Sequence, residues 1–188
     1  MRIIAGSFKG KDLRVGHGTL FRPTAQIVRG SIFDTIGGAI EGASFCDLFA
    51  GSGAVGIEAL SRGAERAVFV EQDKRVLRAL RANLEKCGVG RDRATVKIAD
   101  AFRYIARLVR GNESFDIVFA DPPYASDLAQ RVLGLFEGAS GGFGGLLIVE
   151  HGKPIFLNEG STLEVLQSKK FGGTMVTYFK RKEGGGRT

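Results

Sequence analysis

Short apolar runs alternate with stretches of helical periodicity along most of the chain from Ser44 onward. Nearly continuous apolar runs are typical of parallel strands that are covered on both faces. The order strand, helix, strand, helix predicts an α/β fold with a doubly wound, Rossmann-like sheet that is mostly parallel. The predicted strands are Phe45–Phe49, Ala67–Glu71, Thr95–Ile98, Phe115–Ala120 and Gly145–Glu150, and the predicted helices lie near residues 54–62, 73–87, 101–109 and 126–137.

The region before this alternation has a different pattern. Residues 1–15 predict two short strands around Lys9-Gly10-Lys11. A loop at Arg22-Pro23-Thr24 then precedes a helix that is expected from about Ala25 to Ile36. We therefore expect a hairpin and a helix that pack on the core as an extension.

The end of the chain predicts a second hairpin. Leu163–Lys170 and Met175–Arg181 have strand patterns and are separated by Gly172-Gly173, which places a hairpin at the edge of the sheet. The glycine-rich end is expected to be a flexible tail. The predicted organisation is an extension over residues 1–43, a core domain over residues 44–183 and a tail over residues 184–188.

The net charge of the chain and its distribution say more about a partner than the overall composition does. The 188-residue chain has a net charge of +7 and a pI near 9.7, and such a chain attracts polyanions. Basic residues crowd the first thirty positions, where Asp12 is the only acid. This placement predicts that the extension binds nucleic-acid phosphates through Lys9, Lys11, Arg14, Arg22 and Arg29.

Other classes of function find little support in the sequence. The chain has only two histidines and two cysteines, and the cysteines are not at the spacing of metal ligands. We therefore expect no metal site. No apolar run reaches membrane-spanning length, and the N-terminus lacks the pattern of a signal peptide. We therefore expect a cytoplasmic protein with no membrane partner.

A glycine-rich turn, Asp47-Leu-Phe-Ala-Gly51-Ser-Gly53-Ala-Val-Gly56, follows the first predicted parallel strand and opens a helix. This is the context of a nucleotide-binding fingerprint. Gly51 and Gly53 would let the backbone turn sharply and approach a ligand, and Gly56 would let helix and strand pack closely. Glu71 ends the second strand about twenty residues further on, where its carboxylate could accept both hydroxyls of a ribose.

These residues alone permit NAD, FAD or S-adenosylmethionine. A helix N-terminus would suit a pyrophosphate, but a carboxylate at Asp47 suits the cationic sulfonium and amino group of S-adenosylmethionine better. Asp100 follows the third strand, where it could accept from an adenine amino group or cap the next helix. S-adenosylmethionine is therefore the favoured cofactor.

The fourth predicted strand ends in Asp121-Pro122-Pro123-Tyr124, and open α/β sheets bind ligands at the carboxyl ends of their strands. Asp121 and the Pro122 carbonyl could each accept one N–H of an exocyclic amine, which would aim its lone pair at a methyl group. The two prolines stiffen the backbone, and Tyr124 could stack on a base. The motif indicates methyl transfer to an amino nitrogen of a nucleic-acid base.

These motifs resemble those of the RsmD family, the 16S ribosomal RNA guanine-N2 methyltransferases. The resemblance is carried by Ile4-Ala-Gly-Ser-Phe-Lys-Gly-Lys-Asp-Leu, by Arg22-Pro-Thr, by the turn and its continuation Ile-Glu-Ala-Leu-Ser-Arg-Gly-Ala, and by Asp-Pro-Pro-Tyr. It covers nearly the whole chain and implies a class I methyltransferase domain that depends on S-adenosylmethionine. It also implies cofactor contacts at Asp47, Gly51, Gly53, Glu71, Asp100 and Ala101, and catalysis at Asp121, Pro122, Pro123 and Tyr124.

The first helix departs from the family pattern. After Arg22-Pro-Thr the family usually has an acidic-basic pair and then Arg-Glu, whereas this chain has Gln26-Ile27 and Arg29-Gly30. These departures put the role of that helix in doubt and leave the catalytic motif unchanged.

The expected function is transfer of a methyl group from S-adenosylmethionine to N2 of a guanine in 16S ribosomal RNA, within a small-subunit ribosomal particle. The enzyme is expected to act as a monomer. One alternative is a DNA adenine-N6 or cytosine-N4 methyltransferase, although such enzymes generally need an added target-recognition region. The other is a non-catalytic assembly factor that binds RNA or a nucleotide.

Overall fold

The computed structural model describes residues 1–15, 23–123 and 127–183, and the chain divides into two compact units, Met1–Ala101 and Phe102–Thr188. The first unit has three parallel strands between helices. Its elements are α1 (Pro23–Ile36), a short 3₁₀-helix (Gly37–Ile40), β1 (Ser44–Leu48), α2 (Ala54–Ser61), β2 (Arg66–Glu71), α3 (Lys74–Cys87) and β3 (Ala94–Ile98). Its strand order is β3-β2-β1.

The second unit combines parallel and antiparallel pairing. Its elements are α4 (Ala101–Leu108, whose first residue closes the first unit), β4 (Ser114–Ala120), α5 (Leu128–Phe136), β5 (Gly142–His151), β6 (Leu163–Phe171) and β7 (Thr174–Arg181). Strands β4 and β5 are parallel, whereas β7 pairs antiparallel with both β5 and β6. The order is therefore β4-β5-β7-β6, with β6 at the edge. In the described part of the chain, no helix has the length and apolar character needed to cross a bilayer.

Burial explains why the apolar runs form strands. All five residues of β1 are buried, and β2 is buried from Ala67 to Val70, as parallel strands that are covered on both faces require. Helix α3 shows the other period, because its buried side chains recur every three or four residues. Asp73 caps its N-terminus, and Gly88 ends it in the left-handed conformation.

The predicted strands and helices of the core are confirmed, with small shifts at their ends. The largest shift is in β5, which begins at Gly142 rather than Gly145. The C-terminal hairpin and its place at the edge are also confirmed. The short 3₁₀-helix at Gly37–Ile40 was not predicted.

The predicted N-terminal hairpin is present, but its two arms are too short to count as strands. Residues 1–15 pair as expected around Lys9-Gly10-Lys11, but the pairing reduces to a single bridge between Arg2 and Asp12. The backbone N–H groups of Ile4 and Ala5 donate to the Glu58 carboxylate, at 2.9 and 3.0 Å, instead of to a partner strand. Backbone hydrogen bonds still pair Met1 with Leu13, and Ile3 with Gly10 and Lys11. A side chain on α2 takes over as the acceptor only from Ile4 onward.

Glu58 is the centre of a buried ionic network. Its side chain is fully buried, and its Oε1 also accepts from Arg62 Nε at 2.9 Å. Arg29, which is 3% exposed, places its Nε 3.6 Å from Glu58 Oε2 and donates from Nη2 to the Arg2 carbonyl at 2.6 Å. Burial lowers the pKa of the Arg29 guanidinium, although the Glu58 charge opposes that shift. The network thereby ties the N-terminal segment to α1 and α2.

We expect Glu58→Ala to lower the free energy of unfolding by about 3–5 kcal/mol, because it leaves a buried guanidinium without its counter-charge. Amide exchange at Ile4 and Ala5 should accelerate in the same variant. The matched control is Glu65→Ala, an exposed carboxylate in the same unit, which should change stability by no more than about 0.5 kcal/mol. Urea denaturation that gives equal losses for both variants would contradict this role of Glu58.

Candidate active site

The glycine-rich turn between β1 and α2 has a strained backbone. Gly51 and Gly53 have positive φ angles of 54° and 80°, and Phe49, which is not a glycine, has a φ of 65°. A non-glycine residue in this region costs about 1–2 kcal/mol. The turn is held by backbone hydrogen bonds from Ala50 to Val70 and from Gly53 to Ala50, at 2.9 and 2.8 Å. Such strain is typical of functional turns, and no feature of the sequence predicts it at Phe49.

The three glycines of the turn serve different contacts. A Cβ on Gly56 would lie 2.3 Å from the Phe69 ring, which confirms that Gly56 permits close helix–strand packing. A Cβ on Gly53 would lie 2.2 Å from Leu80 Cδ1, so Gly53 is also needed for packing inside the unit. A Cβ on Gly51 would meet only the Phe49 carbonyl oxygen, at 4.0 Å. Gly51 is therefore the glycine with room for a ligand beside it.

Glu71 fixes the position of this turn. Its half-buried carboxylate accepts from Gly51 N at 2.9 Å through Oε2 and from Asp73 N at 2.8 Å through Oε1. A carboxylate can accept about four hydrogen bonds, so each oxygen keeps acceptor capacity for the ribose hydroxyls that the sequence suggested. Two backbone donors also orient the carboxylate before any ligand arrives.

Asp47 is a buried carboxyl group at the base of the turn. It is 2% exposed, and its Oδ2 accepts from Gly56 N at 2.9 Å. Burial raises its pKa to about 7, against the opposing effect of the Gly56 N–H, and the nearby Glu71 charge adds to the rise. A cation beside Asp47 would favour the ionised carboxylate. This chemistry fits the sulfonium and amino groups of S-adenosylmethionine.

Asn83 on α3 supports the turn and was missed by the sequence analysis. Its buried amide donates to the Ser52 and Arg14 carbonyls, both at 2.9 Å, and accepts from Arg14 N at 2.7 Å. It thereby connects the N-terminal segment to the glycine-rich turn. A single polar residue in an amphipathic helix gives no sequence signal for contacts so distant along the chain.

The remaining cofactor candidates follow β3. Asp100 is half-buried, and Ala101 is buried at the start of α4. The Ala99 N–H donates to the Glu71 carbonyl at 3.3 Å, which connects this segment to the end of β2. All six predicted cofactor residues therefore belong to the first unit.

The catalytic motif belongs to the second unit. The motif follows β4 directly. Asp121 is half-buried, Pro122 is buried and Pro123 is exposed. Tyr124 lies outside the described residues. The motif is therefore described up to Pro123, and Asp121 lies at the carboxyl end of a strand that is buried from Ile117 to Ala120.

A small cavity of about 60 Å³ lies beside the two prolines and is also lined by His151 and the loop that follows it. His151 is 3% exposed; its Nδ1 lies 2.7 Å from the Lys153 carbonyl and its Nε2 lies 2.9 Å from Thr177 Oγ1. Because a carbonyl only accepts, Nδ1 carries a proton and Nε2 accepts from Thr177. Burial lowers the pKa of His151, which favours this neutral form. No motif in the sequence points to His151 as part of this site.

The residues predicted to bind phosphates lie in different environments. Lys9 and Arg14 are exposed, whereas Lys11 donates from Nζ to the carbonyls of Lys86 and Cys87 at 3.2 and 3.3 Å. Lys11 thus caps the C-terminus of α3, where a cation is favourable. Arg29 is buried against Glu58, so its placement does not fit the predicted phosphate contact. Arg22 lies outside the described residues.

The departures from the family pattern lie on α1. Gln26 and Ile27 are exposed, Ile27 to 63%. A Cβ on Gly30 would meet only Ile4 Cδ1, at an ordinary 3.8 Å. The space around Gly30 therefore does not require a glycine.

Parallel strands, a glycine-rich turn and acidic residues at the ends of β1 and β2 define the class: an α/β protein with a site for an adenosine-containing cofactor. Comparison with known proteins narrows that class. The family model described as "Conserved hypothetical protein 95" matches residues 1–180. The chain belongs to this family, the RsmD family of methyltransferases.

Named relatives and solved structures agree with this assignment. The Bacillus subtilis protein named "Putative rRNA methyltransferase YlbH" is 35% identical over 184 residues, which cover 97% of this chain and all of that protein. Ribosomal RNA small subunit methyltransferase D of Escherichia coli is 36% identical over 137 residues, or 73% of this chain and 67% of the relative. A solved structure, "Putative methyltransferase yhhF from Escherichia coli", has a TM-score of 0.82 at 31% identity and covers 97% of this chain and 98% of its own. The predicted fold class is confirmed.

Asp47 gives a prediction about stability and pH. Its pKa is near 3.9 in an unfolded chain and about 7 in the folded protein. The stability that a protonated Asp47 gives is therefore complete below pH 4 and is lost as the pH rises through 7. In Asp47→Asn the amide oxygen can still accept from Gly56, but nothing ionises. We expect this variant to be the more stable protein at pH 8.

The advantage of Asp47→Asn over wild type should grow by up to about 1.4 kcal/mol per pH unit between pH 4 and pH 7, as measured by urea denaturation across this range. Asp73→Asn, in the same unit, is the control, because Arg75 lowers the pKa of Asp73. Its effect should not share this rise. A constant difference between wild type and Asp47→Asn from pH 4 to pH 8 would refute the raised pKa.

Proposed function

We propose that this protein transfers a methyl group from S-adenosylmethionine to the exocyclic N2 of a guanine in small-subunit ribosomal RNA. The observation that carries the proposal is Asp121-Pro122-Pro123 directly after β4, in a chain of the RsmD family. The names of the relatives YlbH and methyltransferase D support ribosomal RNA as the substrate class. The net charge of +7 supports a polyanionic substrate.

We propose that Asp47, Gly51, Gly53, Glu71, Asp100 and Ala101 form the cofactor site. Glu71 would accept the ribose hydroxyls, since its carboxylate is already oriented by Gly51 N and Asp73 N. Asp47 would face cationic groups of the cofactor and lose its proton when they bind. The bound cofactor supplies an electrophilic methyl group on a sulfonium.

The catalytic role of the motif is orientation of the target amine. Asp121 and the Pro122 carbonyl would each accept one N–H of the guanine amino group, and Tyr124 would stack on the base. Held in this way, the nitrogen presents its lone pair to the methyl group. The N–C bond forms as the C–S bond breaks, and the cationic nitrogen then loses a proton to Asp121 or to water.

The size of the protein bears on which form of ribosomal RNA it can use as a substrate. A small enzyme meets the cost of removing a base from its stack, a few kcal/mol, most easily where the base is already exposed. We therefore propose assembled or partly assembled small subunits as the substrate and a monomer as the active form. Lys9 and Arg14 are the exposed candidates for contacts with phosphates. Arg22, outside the described residues, is a candidate on its sequence alone.

The function is tested with labelled S-adenosylmethionine and small ribosomal particles that lack the modification. We expect one methyl group per particle, recovered as N2-methylguanosine by mass spectrometry, and a much lower kcat/KM on protein-free ribosomal RNA. Duplex DNA is the control substrate. Faster methylation of the DNA would overturn the assignment to RNA, and equal kcat/KM on particles and free RNA would remove the argument for a preformed substrate.

Two substitutions should separate cofactor binding from transfer. Glu71→Ala should weaken binding of S-adenosylmethionine at least about tenfold, because it removes ribose acceptors and frees the turn. Asp121→Ala should leave that affinity unchanged and abolish transfer at saturating cofactor. Calorimetry and single-turnover assays measure the two effects. Wild-type affinity in Glu71→Ala would contradict the cofactor site, and substantial turnover in Asp121→Ala would contradict the motif's role.

A further inference from the structure

Phe156 is an aromatic side chain that the fold leaves in water. Among the described residues, five large apolar side chains are exposed: Ile27, Ile98, Phe156, Val165 and Leu166. Phe156 is the most exposed of them, at 71%, and the only aromatic one. A single exposed apolar residue is ordinary on a protein surface, so its meaning depends on how the chain holds it.

The loop that carries Phe156 is held against α5 at two places. The Gln130 side chain donates from Nε2 to the Phe156 carbonyl and accepts from Phe156 N through Oε1, both at 2.8 Å. Glu137 accepts from Asn158 N at 2.7 Å and from Asn158 Nδ2 at 2.5 Å. Both backbone hydrogen-bonding groups of Phe156 are thus satisfied by one side chain. The ring is presented to solvent from a backbone that is already ordered.

The same loop begins beside the catalytic motif. Gly152, Lys153, Pro154 and Ile155 line the small cavity together with Pro122 and Pro123. The neutral His151 fixes the start of the loop through the Lys153 carbonyl. Phe156 is the next residue along the chain, so an ordered path of four residues connects the buried histidine to the exposed ring.

The charge near the start of the loop favours an anionic partner. The Lys153 side chain is 64% exposed, and its Nζ lies 3.6 Å from Asp127, which is itself 89% exposed. Such an exposed pair is weak, so a phosphate could compete for Lys153. An aromatic face with a cation close along the chain is the combination that binds single-stranded nucleic acid, since bases stack on rings and phosphates contact cations.

We propose that Phe156 is a stacking platform for an unpaired RNA base that neighbours the methylated guanine, held in place by Gln130 and Glu137. The inference rests on the proposed function and names a second contact with its substrate. Because the loop is pinned, stacking orders few additional groups, which leaves more of the interaction available for affinity. The ring acts on binding and leaves the chemistry at Asp121 unchanged.

The chain contains no tryptophan, so Phe156→Trp introduces a single tryptophan at the proposed platform, and its emission can be excited selectively. We expect a short single-stranded RNA to quench its emission, with the same midpoint as RNA binding measured by anisotropy. Leu166→Trp, at an exposed position on β6, is the matched control and should not be quenched. RNA binding without quenching of Phe156→Trp would overturn the proposal, as would absence of RNA binding.

Kinetics on small ribosomal particles provides the second readout. Phe156→Ala should raise KM for the particle by about fivefold to about a hundredfold, the range for loss of one stacked base. Its kcat and its affinity for S-adenosylmethionine should be unchanged. Phe156→Tyr keeps the ring and should behave as wild type, and so should Leu166→Ala. An unchanged KM in Phe156→Ala would overturn the platform while leaving the methyltransferase function intact.

The two proposals fail in different ways. A wild-type protein that methylates no ribosomal RNA contradicts the proposed function, and the quenching experiment still tests whether the ring stacks on RNA. If Phe156→Ala weakens particle binding although RNA does not quench Phe156→Trp, the ring contacts a protein of the particle and the proposal is wrong. Gln130→Ala tests whether the hydrogen bonds from Gln130 hold the loop. It keeps the Phe156 ring but frees the loop, so KM for the particle should rise. A wild-type KM would show that ordering of the loop does not contribute to binding.

Discussion

The first unit depends on carboxyl groups that lie wholly or partly out of water and accept hydrogen bonds from backbone N–H groups. An unpaired buried carboxylate is strongly unfavourable, and in this unit the buried Glu58 and Asp47 and the half-buried Glu71 all accept from backbone N–H groups. Glu58 accepts from Ile4 and Ala5, Glu71 from Gly51 and Asp73, and Asp47 from Gly56. The Glu58 contacts hold the N-terminal segment, the Glu71 contact with Gly51 holds the glycine-rich turn, and the Asp47 contact joins β1 to α2. The path of the N-terminus and the shape of the turn therefore have one physical origin.

Asp47 shows that the same interaction can oppose stability. Its hydrogen-bond donor is a backbone N–H rather than a cation, and burial raises its pKa to about 7. A neutral residue at that position would suit the folded chain better at alkaline pH. An acid whose charge is disfavoured in the protein alone becomes favourable when a cation binds beside it. An acid at this position therefore fits a cofactor that carries a cation.

The sequence predicted the core well because its signals are local. A buried parallel strand is recognisable from its own five or six residues. The turn at Asp47–Gly56 is recognisable from the spacing of its glycines. The contacts that the sequence did not predict join residues far apart. Glu58 accepts a hydrogen bond from Ile4, which is 54 residues away in the sequence, and Asn83 accepts one from Arg14, which is 69 residues away. No pattern along the chain distinguishes Glu58 from an ordinary helical surface acid, nor the buried Arg29 from an arginine that binds phosphate.

The two units differ in what their residues are fit to do. Every residue that we assign to the cofactor lies in the first unit, where buried acids and strained turns give a stiff cradle. The Asp121-Pro122-Pro123 motif, which we propose binds the amine, and the Phe156 loop lie in the second unit. There the cavity beside the motif is lined by prolines and a neutral histidine, and the loop carries an exposed ring. Carboxylates suit a cationic cofactor, whereas a polyanionic RNA is better met by neutral and basic groups. Asp121 is the exception, and its proposed task is to accept an N–H from a neutral base rather than to meet a phosphate.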